Sequence, residues 1–329
     1  MTVTVGSSGA NEVNDTIKTR MVKPLSLGHA PVKSPISDKL QFEVIDPHDL
    51  RESQIYDFIK FRNSQEGGVG GVERQLHGRE GESIFHSLLM RMTNGPIRLA
   101  LVRYIGDDML VGEPATLLKT GDVVASNESR QTHKYSPEYM RSLIAAQTSK
   151  TMDELTLQFT NPDGTPPFST FASIRDSVDG PLKPNGGLGF LILALVDRRL
   201  RGQSLSTPLL TNVLAMHHDS IGHDYVFAYG RLPELGGERL PSGEDELNAL
   251  RTEARQQFEQ TGKVEIQTLN RYVQGLLDGN GRDWGLGFHR KAGAHAICGI
   301  PYSYDDPASL NCGALVIYDL KELRRQARI

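Results

Sequence analysis

Cysteine is scarce in this chain: its 329 residues include two, Cys298 and Cys312. Two cysteines cannot build the disulfide framework of a small secreted domain. Both sit in apolar stretches, "HAICGI" and "SLNCGALV", which predicts buried free thiols in a reducing compartment. Long apolar runs are missing too. The longest, Leu188 to Val196, reaches about half of the ~20 residues that a helical membrane span needs. Neither sign of charge dominates, since 36 Lys+Arg stand against 40 Asp+Glu for a net charge of −4. Bulk charge therefore gives no reason to expect a nucleic-acid partner. The opening residues "MTVTVGSSGANEVND" lack the basic start and apolar centre of an export signal. The expectation is a cytoplasmic protein with no membrane or nucleic-acid partner and an oligomeric state the sequence leaves open.

What is present suffices for a large core, because 38% of the residues are hydrophobic. Residues 1–38, rich in Gly, Ser, Asn, Lys and Pro, read as a flexible N-terminal tail. Residues 39–329 read as one domain, with a charged, solvated helical insertion at about 234–262. "LQFEVIDP" alternates like a first strand, and a helix follows with Asp49 as N-cap. "SIFHSLLMRM" reads as a second helix and "PIRLALVRYI" as a strand. Between Gly106 and Lys150 the pattern gives one short strand and a helix around "SPEYMRSLIAAQ". "ELTLQFT" and "FSTFASIRD" read as strands. "LGFLILALV" is apolar at nearly every position and predicts a central strand covered on both faces. A helix from about Ser204 to His218, the strand "YVFAYGRLP", the amphipathic helix "LNRYVQGLLDG", a helix ending at Gly293 and two strands, "HAICGI" and "GALVIYDL", complete the chain. Strands and helices that alternate in this way predict an α/β or α+β sheet domain.

The segment "LILALVDRRLRGQSLSTPLL" lays out strand, basic turn and helix. A helix N-terminus offers unpaired N–H groups and a partial positive charge, which suit a phosphate. Arg198, Arg199 and Arg201 add full charges, and Gly202 permits close backbone approach. Ser204 and Ser206 are good capping residues that serve either a phosphate or the helix end itself. Both readings fit the turn.

This run resembles the pyrophosphate-binding motif of the GNAT acyltransferases: Arg or Gln, two residues, Gly, one residue, then Gly or Ala. The register places Arg201 first and Ser204 and Ser206 at the two glycine positions; another places Arg199, Gly202 and Ser204 there. Downstream, "GFHRKAGA" resembles the F-Y-E-K-x-G-F segment of the same superfamily. Phe288, Lys291 and Gly293 match, and His289 stands where a catalytic tyrosine is common. The stretches "YGRLP", "YVQGLL", "GFHRKAGA" and "PYSYDDPASLNCG" resemble a subgroup of large GNAT-like proteins, some similar to domains in polyketide-type assembly lines. The resemblance implies a GNAT fold with a mixed, mostly antiparallel sheet. It implies acetyl-CoA or another acyl-CoA as cosubstrate, held where the "LGFLILALV" and "YVFAYG" strands splay apart. The pantetheine arm would meet main chain near Leu195 and Val196, and the pyrophosphate would meet Arg201, Gly202 and the amides of Gln203, Ser204, Leu205, Ser206 and Thr207.

On this reading the protein is an N-acyltransferase acting on a small-molecule or carrier-bound acceptor. The alternatives are a non-catalytic ligand- or partner-binding protein, and thioester chemistry such as S-acyl transfer or decarboxylation. His289 is the candidate acid or base, because imidazole titrates near neutrality. Trp284, Arg231 and Tyr302 are candidate substrate contacts, and Tyr304 is a further one. Asp197 reads as a structural residue at the turn. His217, His218 and His223 read as a helix end and loop, so no metal is expected.

Overall fold

The computed structural model describes residues 39–45, 54, 57, 58, 60, 61, 97–111, 115–132, 135–145, 151–161, 166–168, 188–200, 207, 210–212, 214, 223–237 and 247–326. The N-terminal tail, the second helix and the "FSTFASIRD" strand beyond Phe168 lie outside these residues.

Among the described residues, seven strands form the main sheet: β1 (Leu40–Ile45), β2 (Ile97–Tyr104), β5 (Val123–Thr132), β6 (Leu188–Val196), β7 (Tyr225–Arg231), β8 (His295–Ile300) and β9 (Gly313–Asp319). Their order across the sheet is β1-β2-β5-β6-β7-β9-β8, and the short strands β3 (Met109–Val111) and β4 (Thr116–Leu118) pair separately. All neighbours in the main sheet are antiparallel except β6 and β7. The apolar strand is central, as its composition requires.

Each face of that sheet carries a core. On one, Leu191, Val226, Ala228, Ala314, Val316 and Tyr318 pack under Leu210 and Leu214 and under a run of helices. These are α3 (Pro233–Gly236), α4 (Asn248–Thr261), α5 (Ile266–Asp278), α6 (Trp284–Lys291) and α7 (Leu320–Gln326). On the other, Phe190, Phe227, Tyr229, Leu315 and Ile317 pack under α1 (Pro137–Ala145) and α2 (Met152–Phe159).

Two elements depart from the sequence expectations. "ELTLQFT" is not a strand but most of α2. Thr151 and Glu154 form a reciprocal capping box at its start. Leu155, Thr156 and Phe159 share the buried helical face, while Leu157 is 64% exposed. An alternation of three apolar residues suits a strand, yet the cap and the tertiary face decide for a helix. Conversely, the described residues between Gly106 and Lys150 hold three strands rather than one. The longest, β5, buries Ser126, Asn127, Glu128 and Ser129 beside the central strand. The insertion is also less solvated than its charge suggests, since Leu235, Leu247, Leu250 and Ala254 join the main core.

Asn270 of α5 ties three elements together. Its Nδ2 donates to Asp153 Oδ1 at 2.7 Å and Thr156 Oγ1 at 3.0 Å, and its Oδ1 accepts the Gly299 N–H at 2.7 Å. Thr156 Oγ1 in turn donates to the Gly299 carbonyl at 2.8 Å. Asn270→Ala leaves several buried polar groups unsatisfied and is expected to destabilise the fold by about 2 kcal/mol or more. Chemical denaturation of the purified variant measures this.

Candidate functional site

β6 and β7 pair only at Leu188↔Tyr225, Gly189↔Val226 and Phe190↔Phe227. Gly189 makes the close start possible, because a Cβ there would lie 2.9 Å from Val226 Cγ2. Past Phe190 the strands part. The cause is a bulge: the β5–β6 register shifts between Glu128 and Ser129, which face Leu193 and Leu191, so Ile192 is the extra residue. An extra residue bends its strand and increases its twist. Leu191 and Ala194 consequently pack on the same face, three positions apart. β7 meanwhile stays paired with β9 along its whole length. The result is a wedge-shaped gap between the diverged ends of β6 and β7, each of which has one backbone edge with no strand partner among the described residues.

Leu195 and Val196 lie on the diverged end of β6, opposite Ser126 and Ala125 of β5, and both keep some exposure. Arg201, Gly202, Gln203, Ser204, Leu205 and Ser206 fall outside the described residues. Thr207 is the first described helical residue of this segment, and its carbonyl accepts the Thr211 hydroxyl at 2.9 Å. Arg199, by contrast, is committed to the protein. It donates to Asp197 Oδ2 at 2.7 Å, to Asp122 Oδ2 at 3.0 Å and to the Leu117 carbonyl at 2.7 Å. Asp197 also accepts the Arg199 N–H at 2.8 Å and is buried, so its role is structural. This removes Arg199 from the phosphate-binding set that the sequence offered.

His289 lies in the second turn of α6, on the face of β7 and β9. Its ring occupies the space above Gly230, where a Cβ would approach Cδ2 to 2.7 Å and Nε2 to 3.0 Å. Nδ1 shares a 2.6 Å hydrogen bond with the Tyr318 hydroxyl of β9. His289 retains some accessible surface, yet protein atoms crowd the ring, and this desolvation lowers its pKa to about 4. Burial also pushes the Tyr318 phenol well above its usual range, so it stays neutral. The ring is therefore a neutral imidazole near pH 7 rather than a group titrating there. One nitrogen is held by a phenol and the other lies over β7 next to the gap. Tyr318 was not singled out in the sequence, where it reads only as an apolar strand residue.

The proposed substrate contacts have other partners. Arg231, at the end of β7, forms a two-point ion pair with buried Asp306, Nε–Oδ2 2.6 Å and Nη2–Oδ1 3.0 Å. Tyr302 has a φ of 51° and its ring lies 6.0 Å from the Lys263 ammonium, toward the α4–α5 turn. Trp284, 40% exposed, opens α6 and donates its backbone N–H to both Glu234 oxygens at 2.8 Å. The Tyr304 hydroxyl is buried with no hydrogen-bond partner among the described residues. Both cysteines are buried free thiols, and desolvation pushes each to about 12. His223 is buried beside Gly189, while His217 and His218 lie outside the described residues.

The mixed, mostly antiparallel sheet flanked by helices, with its single parallel pair, is consistent with the GNAT fold that the sequence resemblance implies. No family model and no curated protein sequence matches the chain. Among solved structures it is similar to the GphF GNAT-like decarboxylase in complex with isobutyryl-CoA, at 15% identity and a TM-score of 0.42, over 85% of this chain and 98% of that one. The loading GNATL domain of CurA from Lyngbya majuscula gives the same identity, TM-score and coverage. A chimera of the spermidine N-acetyltransferase SpeG from Vibrio cholerae and hSSAT gives 6% identity and a TM-score of 0.40, over 87% of this chain and 98% of that one. No described helix is long and apolar enough to cross a membrane.

Proposed function

We propose that the gap between β6 and β7 binds an acyl-CoA and that the protein transfers its acyl group to a small-molecule or carrier-bound acceptor. The observation that carries this reading is the split parallel pair with His289 beside it. The edges of β6 and β7 that face each other past Phe190 carry main-chain N–H and C=O groups at strand spacing, which suits the amide-bearing pantetheine arm. The pyrophosphate falls to the sequence segment before Thr207, with Arg201 as its cation, since Arg199 is already paired.

The thioester is activated before it binds, so positioning supplies much of the rate. A neutral His289 accepts the acceptor's proton as its nucleophile attacks the thioester carbonyl. The C–S bond then breaks, and the resulting imidazolium gives that proton to the leaving thiolate. Tyr318 holds Nδ1 and leaves Nε2 for this exchange. Low exposure of the ring keeps it in the basic form at neutral pH.

The ligand half of the proposal is tested first. Acetyl-CoA at millimolar concentration is expected to raise the melting temperature by mass action, and Arg201→Ala is expected to shrink that rise. Native mass spectrometry of the purified chain reads any co-purified CoA species directly. The absence of both a shift and a bound CoA overturns the acyl-CoA reading and leaves a GNAT fold with another ligand or partner.

A further inference from the structure

Beside the first turn of α6 lies a buried polar cluster that the proposed reaction does not use. Asp283 is the N-cap of α6, its Oδ1 accepting the Gly285 and Leu286 N–H groups at 3.0 and 3.2 Å. Its Oδ2 accepts the Tyr272 hydroxyl and the Glu234 backbone N–H, each at 3.2 Å. Glu234, on α3 three residues past the end of β7, accepts the Trp284 N–H with both oxygens. The Glu234 and Asp283 side chains also hydrogen-bond to each other. Two carboxylates have no donor between them, so that bond requires a proton.

The surrounding charges agree. From α4, Arg251 is fully buried and acts on both Glu234 and Tyr272. It donates to Asn248 Oδ1 at 2.9 Å and to the Arg282 carbonyl at 3.0 Å, with its guanidinium 5.5 Å from the Tyr272 ring. From the loop before β9, Tyr304 feels Asp283, and it also feels the Arg231–Asp306 pair, whose charges offset each other. Arg251 is thus the guanidinium that acts on Glu234 from α4, and a proton held between the two carboxyls keeps them from repelling each other.

We propose that Glu234 and Asp283 share one proton as a clasp that seats the first turn of α6 on the end of β7 and so positions His289. The seat is close: a Cβ on Gly285 would fall 2.3 Å from the Arg231 carbonyl oxygen. Both carboxyls are positioning residues, acting through the helix. The proton belongs mainly to Asp283. Burial first, then the neighbouring Glu234 charge, raise Asp283 to about 8, and burial raises Glu234 as well. In the unfolded chain the same proton leaves near pH 4. The contribution to stability is therefore full below about pH 4 and is lost as pH rises through about 8. Above that, the two buried carboxylates lie side by side and their mutual hydrogen bond is gone.

The test is Glu234→Gln. The glutamine carbonyl still accepts the Trp284 N–H, and its amide donates to an ionised Asp283, so the clasp closes without a proton. On the full chain, the wild type is expected to show a protonated-carboxyl infrared band at about pH 6 that vanishes at about pH 9.5, and Glu234→Gln is expected to lack it. The wild type's melting temperature should fall by several degrees across that window, and the variant's should change much less. The imidazole NMR signals of His289 should move with the same midpoint in the wild type alone. Asp283→Asn, which keeps an N-cap, is the second variant if Glu234→Gln folds poorly. A wild type without the band, or equal alkaline loss in wild type and variant, overturns the proposal. The clasp's role in catalysis rests on the acyl-transfer reading, but none of these measurements needs CoA, so a failed CoA assay leaves this result standing.

Discussion

His289→Ala is expected to lower kcat about a hundredfold or more, within the ~10²–10⁴ that one acid-base group contributes. KM for the acyl-CoA should change little, because the lost interaction belongs to the transition state. Since the buried ring has a pKa of about 4, the wild-type rate should stay level near pH 6.5 and fall only as pH drops toward 4. Protonation removes the base, which gives the direction. The same burial contributes stability that is present above about pH 6.5 and is lost as pH falls through about 4. Tyr318→Phe removes the bond to Nδ1 without opening space, so it should lower kcat by a smaller factor than His289→Ala. A His289→Ala enzyme with near-normal kcat, its folding confirmed by a melting curve, would remove this residue from the chemistry.

Gly285→Ala and Gly287→Ala form a matched pair on α6 with opposite expected outcomes. At Gly285 the added methyl meets the Arg231 carbonyl oxygen at 2.3 Å and Pro233 Cδ at 3.1 Å. The Arg231 oxygen belongs to backbone, so α6 must shift bodily off β7. The expected cost is about 2 kcal/mol or more, at the upper part of the range for overpacking, and His289 moves with its helix. Gly287 has nothing within 4 Å of such a methyl. There the substitution should be neutral or stabilise by up to ~1 kcal/mol, because alanine is the better helix former. Denaturant unfolding of both variants checks the pair. Equal stability for the two would mean that α6 does not depend on its contact with the end of β7.

The residues of the helix ends and the apolar strands spoke for themselves. Leu188–Val196 reads as central because nine residues with scarcely a polar atom must be covered on both faces. Gly293, at a φ of 87°, ends the α6 segment where the sequence placed the stop. Val226, Val316 and Ile317 could be read as strand from side-chain pattern alone, and Cys298 and Cys312 as buried thiols. His289 was reached only through the likeness of "GFHRKAGA" to another family's segment, since a lone histidine on a helix carries no pattern of its own.

Other features became decidable only when distant segments met. The place and length of β5 were not legible because Ser126, Asn127, Glu128 and Ser129 look like loop, and the adjoining strands β2 and β6 supply the backbone partners that make so polar a strand stable. "ELTLQFT" alternates like a strand, but Gly299 and Asn270 place their polar atoms where a helical Thr156 meets them. The Arg199 charge was visible, yet its pairing with Asp122 was not, because 77 residues separate them. Likewise Glu234, Arg251, Tyr272 and Asp283 are ordinary helix and cap residues until the chain stacks α3, α4, α5 and α6 against the end of β7. Periodicity and capping act within about one or two turns of chain. Burial of charge, the sharing of a proton and the pKa of an imidazole depend instead on which atoms surround a group, and folding alone sets that.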